Sequence, residues 1–200
     1  MSNPYDYTDR IITVLNRKFI KRFNQAGSDL LFMDELNVLR YCEDMYDELL
    51  NITRRYFLRL AKQTYKTYHK AHRVRVDMKW IDKILNEPDD IVMYIFVTET
   101  DRKASRFAES MIASGVERNQ VKVGLRHWSK MVEQFADTVT YDTMTKAFKD
   151  GGAKKVMWLA EHDNRTCGEC WRLDREIFDI DNIPPRPHWG CRCWLKPLYK

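Results

Sequence analysis

Apolar positions recur every three or four residues along most of this chain, a period that predicts helices. Between Tyr7 and Phe23, Ile11, Val14, Leu15, Phe19 and Phe23 share one face, and Gly27-Ser28-Asp29 is expected to end this first helix. From Asp34 to about Arg73 a second stripe runs through Leu36, Leu39, Cys42, Tyr46, Leu49, Thr53, Phe57, Leu60, Thr64 and Tyr68, with no Gly or Pro inside it. At 1.5 Å per residue that helix would be about 60 Å long. Such a rod is either one arm of a hairpin within a bundle or reaches out to partners. Val74 to Asp77 breaks the period, a short helix is expected from Met78 to Asn86, and Pro88 ends or restarts it. Asp89 to Ser114 reads as helix with Ile91, Tyr94, Ile95 and Thr98 on a face and Gly115 as its stop. Glu117 to Lys149 gives one or two more helices, with Phe135, Val139, Met144 and Phe148 facing inward.

The texture changes at Gly151-Gly152. Val156 to Ala160 is a short apolar run of strand length, and Pro184, Pro185 and Pro187 forbid a helix before His188. The expected fold is mainly α with a small β-rich C-terminal unit, an α+β arrangement. Residues 1–150 form the helical domain, and residues 151–200 form the small unit.

Composition adds limits. A hydrophobic share of 44% and a charged share of 32% fit a globular protein. No run of 18 apolar residues occurs, so no membrane partner is expected. The start, MSNPYDYTDR, has neither the basic head nor the apolar centre of a secretory signal. A reducing compartment follows, in which a disulfide framework is not expected.

The net charge of +5 is modest, but its placement is not. Between Leu49 and Val76 there is no Asp or Glu, while Arg54, Arg55, Arg59, Lys62, Lys66, Lys70, Arg73 and Arg75 occur with His69 and His72. A concentrated positive field of this kind suits double-stranded DNA, bound through its phosphates without regard to sequence, or an acidic protein surface.

The sharpest chemical signal lies at the other end. Four of the five cysteines fall in the pattern Cys167-x2-Cys170, then His188-x2-Cys191-x-Cys193. Each knuckle brings two soft ligands to one side of a tight turn, and two knuckles make the tetrahedral set that zinc prefers. Cys167, Cys170, His188 and Cys191 form one set. Cys193, which in an extended chain points the same way as Cys191, could replace His188 or Cys191. A unit this small buries little core, so a structural Zn2+ would supply its folding free energy. A closed four-ligand site leaves no place for water, and no catalytic residue is expected. The alternatives are a zinc-containing, nuclease-like nucleic-acid enzyme with His162 and Asp163 near its chemistry, and a DNA-binding zinc-ribbon protein.

The stretch WLAEHDNRTCGECWRLD from Trp158 to Asp174, with PRPHWGCRC from Pro185 to Cys193, resembles the C-terminal motif of the phage head-morphogenesis family, the Mu F-like minor head proteins. Upstream, Ala136 to Thr140 and Ala147 to Gly152 are similar to the helix and glycine turn that precede that motif. Two positions depart: Arg175 stands where the family commonly has Gly, and Trp189 where it usually has Pro. The resemblance implies a structural minor head protein of a tailed bacteriophage, not an enzyme. It implies portal and capsid proteins as partners, packaged DNA as a further contact, and a place inside the virion near the portal after assembly in the host cytoplasm.

Overall fold

The computed structural model describes residues 3–69, 91–164 and 166–199, with the backbone alone for 91–95. Four long helices come first: α1 (Tyr5–Asp29), α2 (Glu35–Tyr68), α3 (Ile91–Ser114) and α4 (Arg118–Asp150). A 3-10 turn, Leu30–Phe32, joins α1 to α2. Strand β1 (Lys155–Leu159), the short helix α5 (Gly168–Leu173), β2 (Ile177–Asp179) and β3 (Trp194–Leu198) follow. No described helix is long and apolar enough to cross a membrane.

The signals at the helix ends are mostly those read from the sequence. Asp34 caps α2, its carboxylate accepting the Asn37 amide at 3.0 Å. Gly115 ends α3 in the left-handed region at φ 69°. Gly27 does not end α1, which runs on to Asp29. A Cβ at Gly27 would lie 3.2 Å from Cγ2 of Val121, so this glycine lets α1 and α4 approach closely. The predicted helix over residues 78–86 and the end of the long helix beyond residue 69 fall outside the described residues.

The α2 stripe is buried from Cys42 onward through Leu49, Phe57, Leu60 and Tyr68. The helix lies against both α3 and α4 along this face, as the arm of a bundle. Its first turns correct the expectation: Leu36 is 82% exposed and Leu39 is also exposed, while Val38 is buried. A step of four from Val38 to Cys42 fits the helical period as well as the step of three from Leu39, so periodicity could not choose between them. On α3, Thr98 faces outward and Phe96, Thr100, Ala104 and Phe107 turn in. The inward residues expected on α4, Phe135, Val139, Met144 and Phe148, are all buried.

An aromatic cluster holds the bundle. Trp128 is fully buried between Phe19 (5.9 Å), Tyr46 (5.4 Å) and Phe96 (5.9 Å). Gly124 makes room one turn earlier. A Cβ there would fall 2.5 Å from Cδ2 of Phe107 and 3.0 Å from Cε1 of Phe23. At its far end α2 is tied to α4, the Tyr65 hydroxyl donating to Oδ2 of Asp150 at 2.5 Å.

The three strands form an antiparallel sheet in the order β2-β1-β3. On β1, Val156 and Trp158 are fully buried, as is Leu195 on β3. Helices and sheet share one continuous core. Polar contacts fasten α1 to the C-terminal segment: the Tyr5 hydroxyl donates to the Cys193 carbonyl at 3.2 Å, Asn3 donates to Glu161 at 2.7 Å, and Arg192 pairs with Asp9 at 3.0 Å.

Candidate metal centre

Two turns build the centre. Cys167 is the N-cap of α5, its sulfur accepting the Cys170 amide at 3.5 Å, so the CxxC knuckle is a helix start capped by a thiol. In the second knuckle the Cys191 amide donates to the His188 carbonyl at 3.3 Å, and Gly190 between them has φ 72°. Glycine occupies that left-handed position at no steric cost. The last strand starts one residue after Cys193, so the sheet holds that cysteine at its edge.

The five predicted ligand residues meet. Their atoms form two triads, each within 4.8 Å: Cys167, Cys170 and His188, and Cys170, Cys191 and Cys193. Cys170 belongs to both. Its sulfur lies 3.5 Å from that of Cys167, 3.6 Å from that of Cys191 and 3.8 Å from Nε2 of His188. Zinc–sulfur bonds of about 2.3 Å, opened tetrahedrally, separate sulfurs by about 3.8 Å. The three distances from Cys170 are of that length, the donor atoms are gathered in two triads that share it, and all five cysteines are free thiols. Nδ1 of His188 donates to the Trp189 carbonyl at 3.1 Å, which leaves Nε2 as the lone-pair nitrogen facing the sulfurs.

The thiols perturb one another strongly. Burial pushes Cys170 up to about 12, with the neighbouring thiols of Cys167 and Cys191 adding to the rise. Cys193 is raised, first by its hydrogen bond to Cys191 and then by burial. That same bond, with the Cys193 amide, Cys170 and the charge of His188, brings Cys191 down to about 6. Cys167 is lowered by the backbone amide of Cys170. Several thiolates cannot share so small a space without a cation among them, and a divalent ion would supply that charge. The cluster is therefore compatible with a bound metal, and its donor set of soft sulfurs and one imidazole is that of zinc.

Beside the cluster opens a cleft of about 540 Å³, bounded by Asp9 and Asn16 of α1, Glu133 and Asp137 of α4, and the His188–Cys193 turn. Burial raises Asp137 to about 7 against the opposing pull of Arg192 and Arg186. An ordinary unfolded-state carboxyl titrates near 3.9. The folded chain thus keeps a proton that the unfolded chain releases, and stability falls as pH climbs from about 4 to about 7. Asp137→Asn should remove that slope. Thermal melts across a pH series should show the variant gaining on the wild type through this window and holding a constant lead above it.

Arg175 keeps the left-handed conformation expected of the glycine it replaces, at φ 65°. Its amide donates to the Trp158 carbonyl at 2.7 Å, which fixes the turn between α5 and β2. A side chain in this region costs about 1–2 kcal/mol, and glycine loses part of that gain through its chain entropy. Arg175→Gly should therefore stabilise the protein by roughly 0.5–1 kcal/mol, read as a higher urea midpoint with unchanged slope.

His162 and Asp163, the residues of the enzymatic alternative, serve the loop. Nε2 of His162 meets Oδ2 of Asp174 at 2.9 Å and its ring lies 4.6 Å from that of Trp171. Asp163 and Thr166 exchange hydrogen bonds across a turn. Neither residue joins the metal-sized groups among the described residues.

Of the basic residues, Arg55, Arg59, Lys62 and Lys66 follow steps of four, three and four along one face of α2. Arg55, Arg59 and Lys66 are exposed and Lys62 is half-buried. Arg54 points elsewhere, half-buried, with an Nε that has no hydrogen-bond partner among the described residues. Lys70, Arg73 and Arg75 lie outside the described residues.

Residues 102–196 match the family model described as Phage Mu protein F like protein. This segment is Mu F-like. It begins in α3, takes in all of α4, β1 and β2 and the first residues of β3, and includes every cysteine and histidine of the cluster. The match supports the phage head-morphogenesis family, whose members are structural head proteins and belong to the virion. It reaches upstream of Ala136 into helices that carried no legible motif. No curated protein and no solved structure matches the chain. The Mu F-like segment thus joins the candidate centre to the helices that carry it, as one unit of sequence and of packing.

Proposed function

We propose that the protein is a structural minor component of a tailed-phage head, seated near the portal inside the capsid, with a zinc ion clasping its C-terminal unit. The observation that carries this reading is the coincidence of the Mu F-like match with the cysteine–histidine cluster. The role given to the metal is mechanical. A clasp of four protein ligands fixes the sheet against α1 and α4 and leaves the helical surface free for assembly partners, portal and capsid proteins first among them.

Packaged double-stranded DNA is the second partner in this reading. The exposed row of Arg55, Arg59 and Lys66 with Lys62 is supported as its contact by spacing and by the absence of Asp or Glu between Leu49 and Val76. Each released counterion should steepen the fall of log affinity with log salt by about 0.9. Duplex binding by the full chain, followed across a salt series, tests the contact. The triple variant Arg55→Gln, Arg59→Gln, Lys66→Gln should lower the slope by about 2–3. An unchanged slope would remove DNA from the reading, and absence of the protein from purified heads would remove the rest.

A further inference from the structure

A second basic surface lies on the opposite pair of helices. Arg102 and Lys103 of α3 and His127 and Lys130 of α4 border a hollow of about 540 Å³ that ends against Trp189. One carboxylate, Glu99, reaches it, and Glu99 is already held by Arg102. Lys103, His127 and Lys130 make no ion pair among the described residues. Arg106 and Arg126 stand just outside, and the field of these cations is felt within the group: after burial, Lys103, Arg126 and Lys130 are what hold His127 below its ordinary value.

Trp189 sets this hollow apart from an ordinary basic patch. Its indole packs on Phe135 at 5.4 Å, yet 52% of its surface remains open to solvent. The knuckle that presents it is braced, since its neighbour Gly190 abuts Gln134 of α4 and its carbonyl holds Nδ1 of His188. A large flat ring, anchored on one side and open on the other beside cations that outnumber the one carboxylate, Glu99, offers what a nucleotide strand takes: a stacking surface for a base and charge for its phosphates. Bases within a duplex are covered by their neighbours and cannot lie on such a ring.

We propose that the hollow between α3 and α4 binds single-stranded nucleic acid, with an unpaired base stacked on Trp189 and backbone phosphates held by Lys103, His127 and Lys130. The surface is separate from the α2 row and discriminates differently, because the α2 row has no open indole and reads charge alone.

The test uses the full chain and a labelled oligothymidylate of about twelve nucleotides, with fluorescence anisotropy as readout. Trp189→Ala should weaken binding at least about fivefold, and Trp189→Phe should keep most of it. Lys103→Gln with Lys130→Gln should lower the salt slope by about 1.4, while the α2 triple variant, which weakens duplex binding, should raise the preference for single strand over duplex. An iodouracil-substituted oligonucleotide should photo-cross-link to Trp189. Should Trp189→Ala fail to fold, the lysine pair and the cross-link decide. Unchanged binding in the lysine pair, cross-links elsewhere only, or equal competition by duplex or by inorganic polyphosphate would each overturn the proposal. Loss of all binding in the α2 triple variant alone would overturn it too and leave the duplex reading standing.

Discussion

Cys170→Ser is expected to cost the protein its metal and unfold the sheet, leaving the four long helices in place. Cys170 is buried and is the one residue common to both triads, so its loss breaks both groups at once. Zinc contributes on the order of 10 kcal/mol to the folding of small zinc modules, comparable with the whole stability of an ordinary domain at about 5–15 kcal/mol. Elemental analysis should find one zinc per wild-type chain and none in the variant. The emission of Trp158, fully buried on β1, should shift toward that of exposed indole. Cys42→Ser is the control. That thiol is buried in α2 and pushed up to about 12 by burial, and its loss should leave metal content untouched. Comparing His188→Ala with Cys193→Ser then identifies the fourth ligand, since only the variant that removes it should release zinc. A wild-type protein that is metal-free and fully folded would end the zinc clasp.

The largest loss of stability in the helical part should come from Trp128→Ala, about 3–5 kcal/mol. Trp128 is fully buried among three aromatic rings from three other helices, which cannot collapse into the vacated space together. Part of the loss is offset because the indole N–H is buried without a partner among the described residues, and the variant removes that orphan donor. Equilibrium urea unfolding measures the difference. Trp171→Ala, with half of that side chain already exposed, should stay within about 0.5 kcal/mol of the wild type. A Trp128→Ala loss below about 1 kcal/mol would mean that the aromatic cluster repacks freely.

The parts of the fold that were legible in the sequence are those with a repeating or closely spaced signal. The α2 stripe from Cys42 to Tyr68 and the inward face of α4 follow from period alone. The gathering of four cysteines and His188 follows from the spacing of two knuckles. What escaped depended on contacts between distant segments. Gly27 reads as a helix stop until Val121 is seen against it. Val38 and Leu39 are equal candidates until a neighbouring helix chooses. The hollow at Trp189 joins cations from two helices to a ring from the second knuckle. Its one local trace was the Arg126, His127, Lys130 spacing on α4. That Cys170 should be the hub of the cluster could not be read from spacing either, since CxxC treats its two sulfurs alike.

The bond from the Tyr5 hydroxyl to the Cys193 carbonyl spans 188 residues. It has a consequence for the order of events at the ribosome. The first turn of α1 emerges long before the residues that make the surface it must cover. Until then Tyr5 and its neighbours wait without their final partner, whatever the remaining helices have achieved. Native docking of the first turn therefore waits until residue 193 has left the tunnel and β3 has closed onto β1.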